Sequence, residues 1–149
     1  MITINSPLRR LLGSGAAMAA VATLAVVALS TAGEAAVGAT CRGEQATVVG
    51  SSGRDVIDAG PGRDVIAARA GNDDIDAGTG RDLVCGGRVA EEIDGNADAD
   101  RLFGQAGNDE IDGQAGNDRL NGGAGRDDLD GERATDTCVN GEIVDDCEN

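Results

Sequence analysis

The chain contains no histidine, lysine, tyrosine or tryptophan, and its single aromatic residue is Phe103. These gaps remove the commonest general base, Schiff-base chemistry and His-ligated zinc. Basic charge is also scarce: all 12 basic residues are arginine, against 27 acids, for a net charge of −15. Such a surface repels nucleic acid and anionic lipid and attracts cations. A chain with 24 glycines and 26% charged residues ordinarily buries too little apolar surface to offset its own entropy. Any fold must therefore come from regular spacing.

What is present first is an export-like segment. Arg9 and Arg10 precede an apolar run from Leu11 to Leu29, and small residues follow. Residues 1–39 are read as a helical signal peptide, cleaved near Ala32 to Ala39. Gly13, Gly15 and many alanines make the run weakly hydrophobic, so no membrane attachment is expected after cleavage. Past this segment 26 acids face 10 arginines. The four cysteines then enter an oxidising exterior and are expected to form two disulfides.

From Gly53 to Arg133 the chain repeats Gly-x-Asp-x-(Ile/Leu/Val) every nine residues without an insertion. In this frame position five runs Val48, Ile57, Ile66, Ile75, Val84, Ile93, Leu102, Ile111, Leu120, Leu129, Cys138 and Cys147. One apolar residue in nine cannot make a helical stripe. It suits a short strand and a Gly-rich turn, coiled so that position five stacks inward. The expected fold is all-β, a parallel β-roll (β-solenoid) of nine-residue half-turns, with alternate units in opposite sheets. Its divisions are an N-terminal cap and first strand at 40–52, the roll at 53–133 and a disulfide-clipped C-terminal cap at 134–149.

Position three carries Asp55, Asp64, Asp73, Asp82, Glu91, Asp100, Asp109, Asp118, Asp127, Asp136 and Asp145. Stacked about 4.8 Å apart, like charges at an effective dielectric near 20 cost on the order of 3 kcal/mol per contact. A hard cation with a flexible oxygen shell removes that repulsion. Calcium fits better than magnesium, which demands a small octahedron, and the missing His disfavours zinc and copper. Asp94-x-Asn96-x-Asp98-x-Asp100 has the spacing of an EF-hand loop, but Ala99 and Gln105 replace its obligatory Gly and Glu.

Over roughly residues 44 to 147 the units resemble the calcium-binding nonapeptide Gly-Gly-x-Gly-x-Asp-x-U-x of RTX (haemolysin-type) proteins, most closely from Gly107 to Gly131. The resemblance implies a parallel β-roll that holds several Ca2+ ions through motif Asp and turn carbonyls and is often unfolded without metal. Carried over by position, the metal ligands are Asp55, Asp64, Asp73, Asp82, Asp100, Asp109, Asp118 and Asp127. Val89, Glu91 and Asp98 depart from the pattern, which weakens the expected sites between residues 86 and 100. Arg54, Arg63, Arg81 and Arg126, each just before its Asp, are expected to point outward, where a guanidinium could partly replace a cation and leave a weaker site than Asn72, Asn108 or Asn117.

Positions four and six flank the buried residue and face out. One set of units is acidic there (Asp74/Asp76, Glu92/Asp94, Glu110/Asp112, Asp128/Asp130). The other offers an apolar strip of Val49, Val65, Leu83, Cys85 and Phe103. The strip is expected to be covered by the residues around Cys41, through a Cys41–Cys85 disulfide, or else to serve a protein partner or self-association through Val49, Val65, Leu83 and Phe103. A Cys138–Cys147 disulfide is expected to clip the last turn. The resulting expectation is a stand-alone secreted calcium binder, not an enzyme, with folding coupled to Ca2+. The rival is an adhesion or surface-interaction module, using the apolar sheet, in which calcium is structural only.

Overall fold

The computed structural model describes residues 38–148, so the expected signal peptide lies outside the described residues except for its last two positions. The first elements, β1 (Thr40–Cys41) and β2 (Glu44–Gln45), pair as an antiparallel hairpin. Val48–Val49 (β3) then starts the coil.

From here the strands alternate between two parallel sheets. One contains β3, β5 (Val65–Arg69), β7 (Leu83–Gly87), β9 (Arg101–Ala106), β11 (Arg119–Ala124) and β13 (Thr137–Val139). The other contains β4 (Val56–Asp58), β6 (Asp74–Asp76), β8 (Glu92–Asp94), β10 (Glu110–Asp112), β12 (Asp128–Asp130) and β14 (Ile143–Asp145). The register repeats every two units, as in Ile75 beside Ile93 and Leu102 beside Leu120. This is a β-solenoid of about five turns.

The nine-residue frame predicts the core. Ile57, Ile66, Ile75, Val84, Ile93, Leu102, Ile111, Leu120, Leu129 and Cys138 form one buried column, with Val48 and Cys147 packed against its ends. Because each unit supplies one large apolar side chain, no single unit can bury its own; the column exists only through stacking.

At the C-terminus the structure departs from the frame. Val144, not Cys147, stands beside Leu129. The short linker Asn140–Glu142, with Asn140 in the left-handed region (φ 57°), brings β14 round early. The cause is local: Ile143 and Val144 are strong strand formers, whereas Asp146 and Glu148 are not. Asp145 consequently moves from its expected position-three place to one beside Asp130 on the outer acidic face. Cys147 follows β14 rather than forming a rung. It still bonds Cys138, with the two Cα atoms 5.8 Å apart.

The apolar strip is covered. Cys41 is bonded to Cys85, with Cα atoms 5.6 Å apart, and the hairpin lies over Val65, Leu83 and Phe103, which are buried with them. Arg42 sits 4.6 Å from the centroid of the Phe103 ring, a cation–π contact that holds the hairpin across the face. Of the residues expected to receive a partner, only Val49 retains partial exposure.

Candidate metal centre

The site begins with the turn. Position eight is left-handed in every unit from Gly60 to Glu132, including Arg69 (φ 84°), Asn96 (φ 68°), Gln105 (φ 85°) and Gln114 (φ 64°). Position seven is different: Gly104 and Gly122 do not have positive φ, yet a Cβ there would fall 2.2 Å from Asp109 Oδ2 and 2.4 Å from Asp127 Oδ2 respectively. At Gly104 and Gly122 glycine serves space, not backbone conformation. The Gly-rich turn thus folds around the carboxylate of the following unit. In the first units the space is partly filled, because Ala59, Ala68 and Ala77 occupy position seven.

From Asp73 to Asp136, Glu91 excepted, each position-three side chain has one oxygen tied down in the same way. Oδ1 accepts the backbone N–H of the residue eighteen positions earlier: Asp82 N to Asp100 at 2.7 Å, Asp100 N to Asp118 at 2.8 Å, Asp109 N to Asp127 at 3.0 Å and Asp118 N to Asp136 at 2.7 Å. The ladder extends to the slipped C-terminus, where Glu142 Oε2 accepts from Asp127 N at 2.7 Å. Glu142 therefore takes the place the sequence frame assigned to Asp145.

The other oxygen has no partner. Oδ2 of Asp73, Asp82, Asp100, Asp109, Asp118, Asp127 and Asp136, and Oε2 of Glu91, are buried without a hydrogen bond. An unpaired buried carboxylate oxygen is costly and must either carry a proton or face a cation. Burial pushes the Glu91 carboxyl up to about 8, assisted by the neighbouring Asp109 carboxyl. Burial likewise raises Asp100 to about 7 and Asp118 to about 6, and shifts Asp73, Asp82 and Asp109 upward. In each of the five Asp the accepted backbone N–H opposes the shift.

Six of the eight Asp carried over as ligands thus present an orphaned oxygen. Asp55 and Asp64 do not: Ser51 N and Oγ donate to Asp55 at 2.6 and 3.0 Å, and Asp64, whose Oδ1 accepts from Thr47 Oγ1 at 3.0 Å, is only half-buried. Glu91 and Asp136 join the set although the motif match had left them out. Their position-three spacing was the signal that could have included them. At Glu91 the extra methylene alters the ladder: Oε1 accepts from Val89 N in its own unit, at 3.3 Å.

The direct ion pairs of Arg54 and Arg63 lie away from position three, and the charge of Arg63 still opposes the upward shift at Asp82. Arg54 lies 3.8 Å from Asp74 and Arg63 pairs with Glu44; neither carboxylate is at position three. Asn108 and Asn117, at the same position, instead accept the N–H groups of Arg126 and Thr135 at 3.0 and 3.2 Å.

Among the described residues no group of three or more acidic or thiol side chains could hold an ion alone. A six- to eight-oxygen shell must then include turn carbonyls, which this geometry supplies. A Cβ on Gly107 or Gly125 would lie 1.8 Å from Val89 O and 1.5 Å from Gly107 O, so the carbonyls stack as tightly as the carboxylates. The donor set is all oxygen, anionic and flexible in number, which suits Ca2+.

Fold and donors together define a calcium-binding parallel β-roll. The RTX calcium-binding nonapeptide repeat matches four times, at residues 49–84, 86–120, 94–129 and 103–138, and the chain belongs to this family. Its repeats bind Ca2+, and the recurring buried Asp accord with several ions. Searches of curated proteins and of solved structures gave no significant match.

Proposed function

We propose that this is a secreted, non-enzymatic calcium-binding protein whose roll forms when Ca2+ enters the turns. The observation that carries the reading is the set of orphaned Oδ2 and Oε2 atoms at position three. Asp73, Asp82, Asp100, Asp109, Asp118 and Asp127, with Glu91 and Asp136, would hold the ions together with turn carbonyls. Asp55 and Asp64 remain part of the proposed ligand set, Asp55 at a site where Ser51 must yield its hydrogen bonds to Oδ2. Bound calcium supplies the counter-charge that lets these carboxylates stay ionised while buried. The chain's own residues do the rest: the N–H ladder fixes Oδ1, and from Gly86 onward glycine at position seven leaves room for the second oxygen.

Secretion is supported by the Arg9/Arg10 and apolar layout of residues 1–39 and by the pairing of all four cysteines. Against catalysis, the acids form ladders rather than an isolated pair, with the nucleophile and base residues of common hydrolases scarce or missing. The adhesion reading through the apolar sheet loses its surface, because the hairpin occupies it.

The test is calorimetric calcium titration of the mature, oxidised protein with circular dichroism in parallel. Several ions should bind, with a gain in β signal that chelator reverses. A spectrum indifferent to calcium would remove the coupling of metal to folding.

A further inference from the structure

We propose that Arg63, Arg81, Arg101 and Arg119 form a binding cleft for a ligand that carries several carboxylate or sulfate groups. The cleft is an open depression of about 370 Å³ beside the sheet that contains β5, β7, β9 and β11. Arg101 and Arg119 are register partners on β9 and β11, and Leu83 is the partner of Arg101 on β7. Arg63 and Arg81 each stand two residues before Val65 and Leu83, which are themselves partners. Ala99 lies at the same place two residues before Arg101, so its short side chain leaves the floor open between guanidinium groups.

Placing arginines on neighbouring parallel strands is unfavourable unless an anion lies between them. In a chain of net charge −15 carboxylates are plentiful, yet few approach. Glu44 of the hairpin pairs with Arg63 and lies 3.8 Å from Arg101. Among the described residues Arg81 and Arg119 have no ion-pair partner. Glu44, outside the cleft wall, already demonstrates the chemistry: its carboxylate pairs with Arg63, while Arg81 and Arg119 present the same planar donors without an ion-pair partner. Guanidinium groups match carboxylate and sulfate oxygens in pairs, and several in one cleft favour a multivalent anion over a single ion.

Asp82 and Asp100 also line the cleft, but they do not oppose an external anion directly. They are 2% and 1% exposed, and each has Oδ1 on a backbone N–H. Their remaining charge is offset when calcium is bound, a point that rests on the function proposed above.

The test uses the mature, oxidised, calcium-saturated protein. Sucrose octasulfate and trimesate (benzene-1,3,5-tricarboxylate) are titrated separately by calorimetry, so that the two arms tell sulfate from carboxylate recognition. Saturable binding of at least one probe is expected, weakened about tenfold by Arg81→Ala and by Arg119→Ala, one charge-assisted contact each. Arg126→Ala, outside the cleft, should leave it unchanged. No binding to either probe, or equal weakening by Arg126→Ala, overturns the proposal. Circular dichroism on the same samples separates the two readings. Binding absent from an intact roll rejects the cleft alone. A calcium-indifferent spectrum rejects the calcium coupling, and arginine-dependent binding then still supports the cleft.

Discussion

The backbone N–H of Asp100 donates to Oδ1 of Asp118 across 2.8 Å, joining two residues eighteen positions apart. The same carboxylate leaves Oδ2 buried with no partner. One side chain thus has a structural half and a metal-seeking half, and its two oxygens can be tested apart.

Asp118→Asn keeps an oxygen for the Asp100 N–H and removes the buried charge. In calcium the variant should bind fewer or weaker ions, by about tenfold at the affected site. In chelator at neutral pH it should instead show more β structure than the parent, because desolvating the charge costs on the order of 1 kcal/mol or more. Calorimetry and circular dichroism would register these opposite signs; a variant destabilised in both conditions would mean that Asp118 is only a scaffold residue.

Positions seven and eight of one turn should respond oppositely to substitution. Gly104→Ala drives a methyl against Asp109 Oδ2 and Gly122 O, at 2.2 and 2.8 Å, and should impair calcium binding and lower the melting temperature. Gln105→Gly removes a left-handed non-glycine residue (φ 85°) and should stabilise the roll by up to about 1 kcal/mol. Thermal denaturation in calcium compares the pair.

Removing the Cys41–Cys85 bond by Cys41→Ser with Cys85→Ser should loosen the hairpin and expose Val65, Leu83 and Phe103. The expected loss is about 2–4 kcal/mol, with increased binding of a hydrophobic dye and a shift toward larger species in size-exclusion chromatography. Leu83→Asp should be at least as harmful, since Leu83 is 1% exposed and a charge there would be buried. An unchanged dye signal would mean that the hairpin docks without its disulfide.

Acidification should partly replace calcium. In the folded chain Glu91, Asp100 and Asp118 keep their protons up to about 8, 7 and 6, whereas unfolded carboxyls release theirs near pH 4. The folded state therefore binds more protons between about pH 4 and 8, and its stability in chelator rises as pH falls through that window. Asp112, raised to about 6 by burial, by Asp94, Asp130 and Glu110 on the outer acidic face and by Glu132 in the turn, adds the same sign. Calcium affinity should fall over the same range, because the ion must displace protons. The β signal with chelator at pH 8, 6.5 and 5 checks the first point, and calcium titration at those values the second.

Much of this was legible in the nine-residue frame. Ile66, Ile75 and Leu102 were assigned inward by spacing alone and are buried. Cys85 was paired with Cys41 because an outward cysteine on an apolar strip needs a cover. The frame failed at its ends, where repetition no longer constrains the chain: Ser51 satisfies Asp55, Asp64 is only half-buried, and Val144 replaces Cys147 above Leu129. It also could not distinguish glycine needed for φ from glycine needed for room, since both appear as the same letter.

The sequence by itself determined the period, the inward column, the acidic face and the oxygen-only character of the site, because each is a property of one unit repeated. Tertiary structure alone decided what lies between units. Stacking at eighteen residues buries the position-three carboxylates, gives Oδ1 a backbone donor and leaves Oδ2 without one. The same stacking gathers Arg63, Arg81, Arg101 and Arg119 from separate turns into one cleft. Burial and convergence arise from neighbouring coils, and no single nonapeptide contains its neighbour.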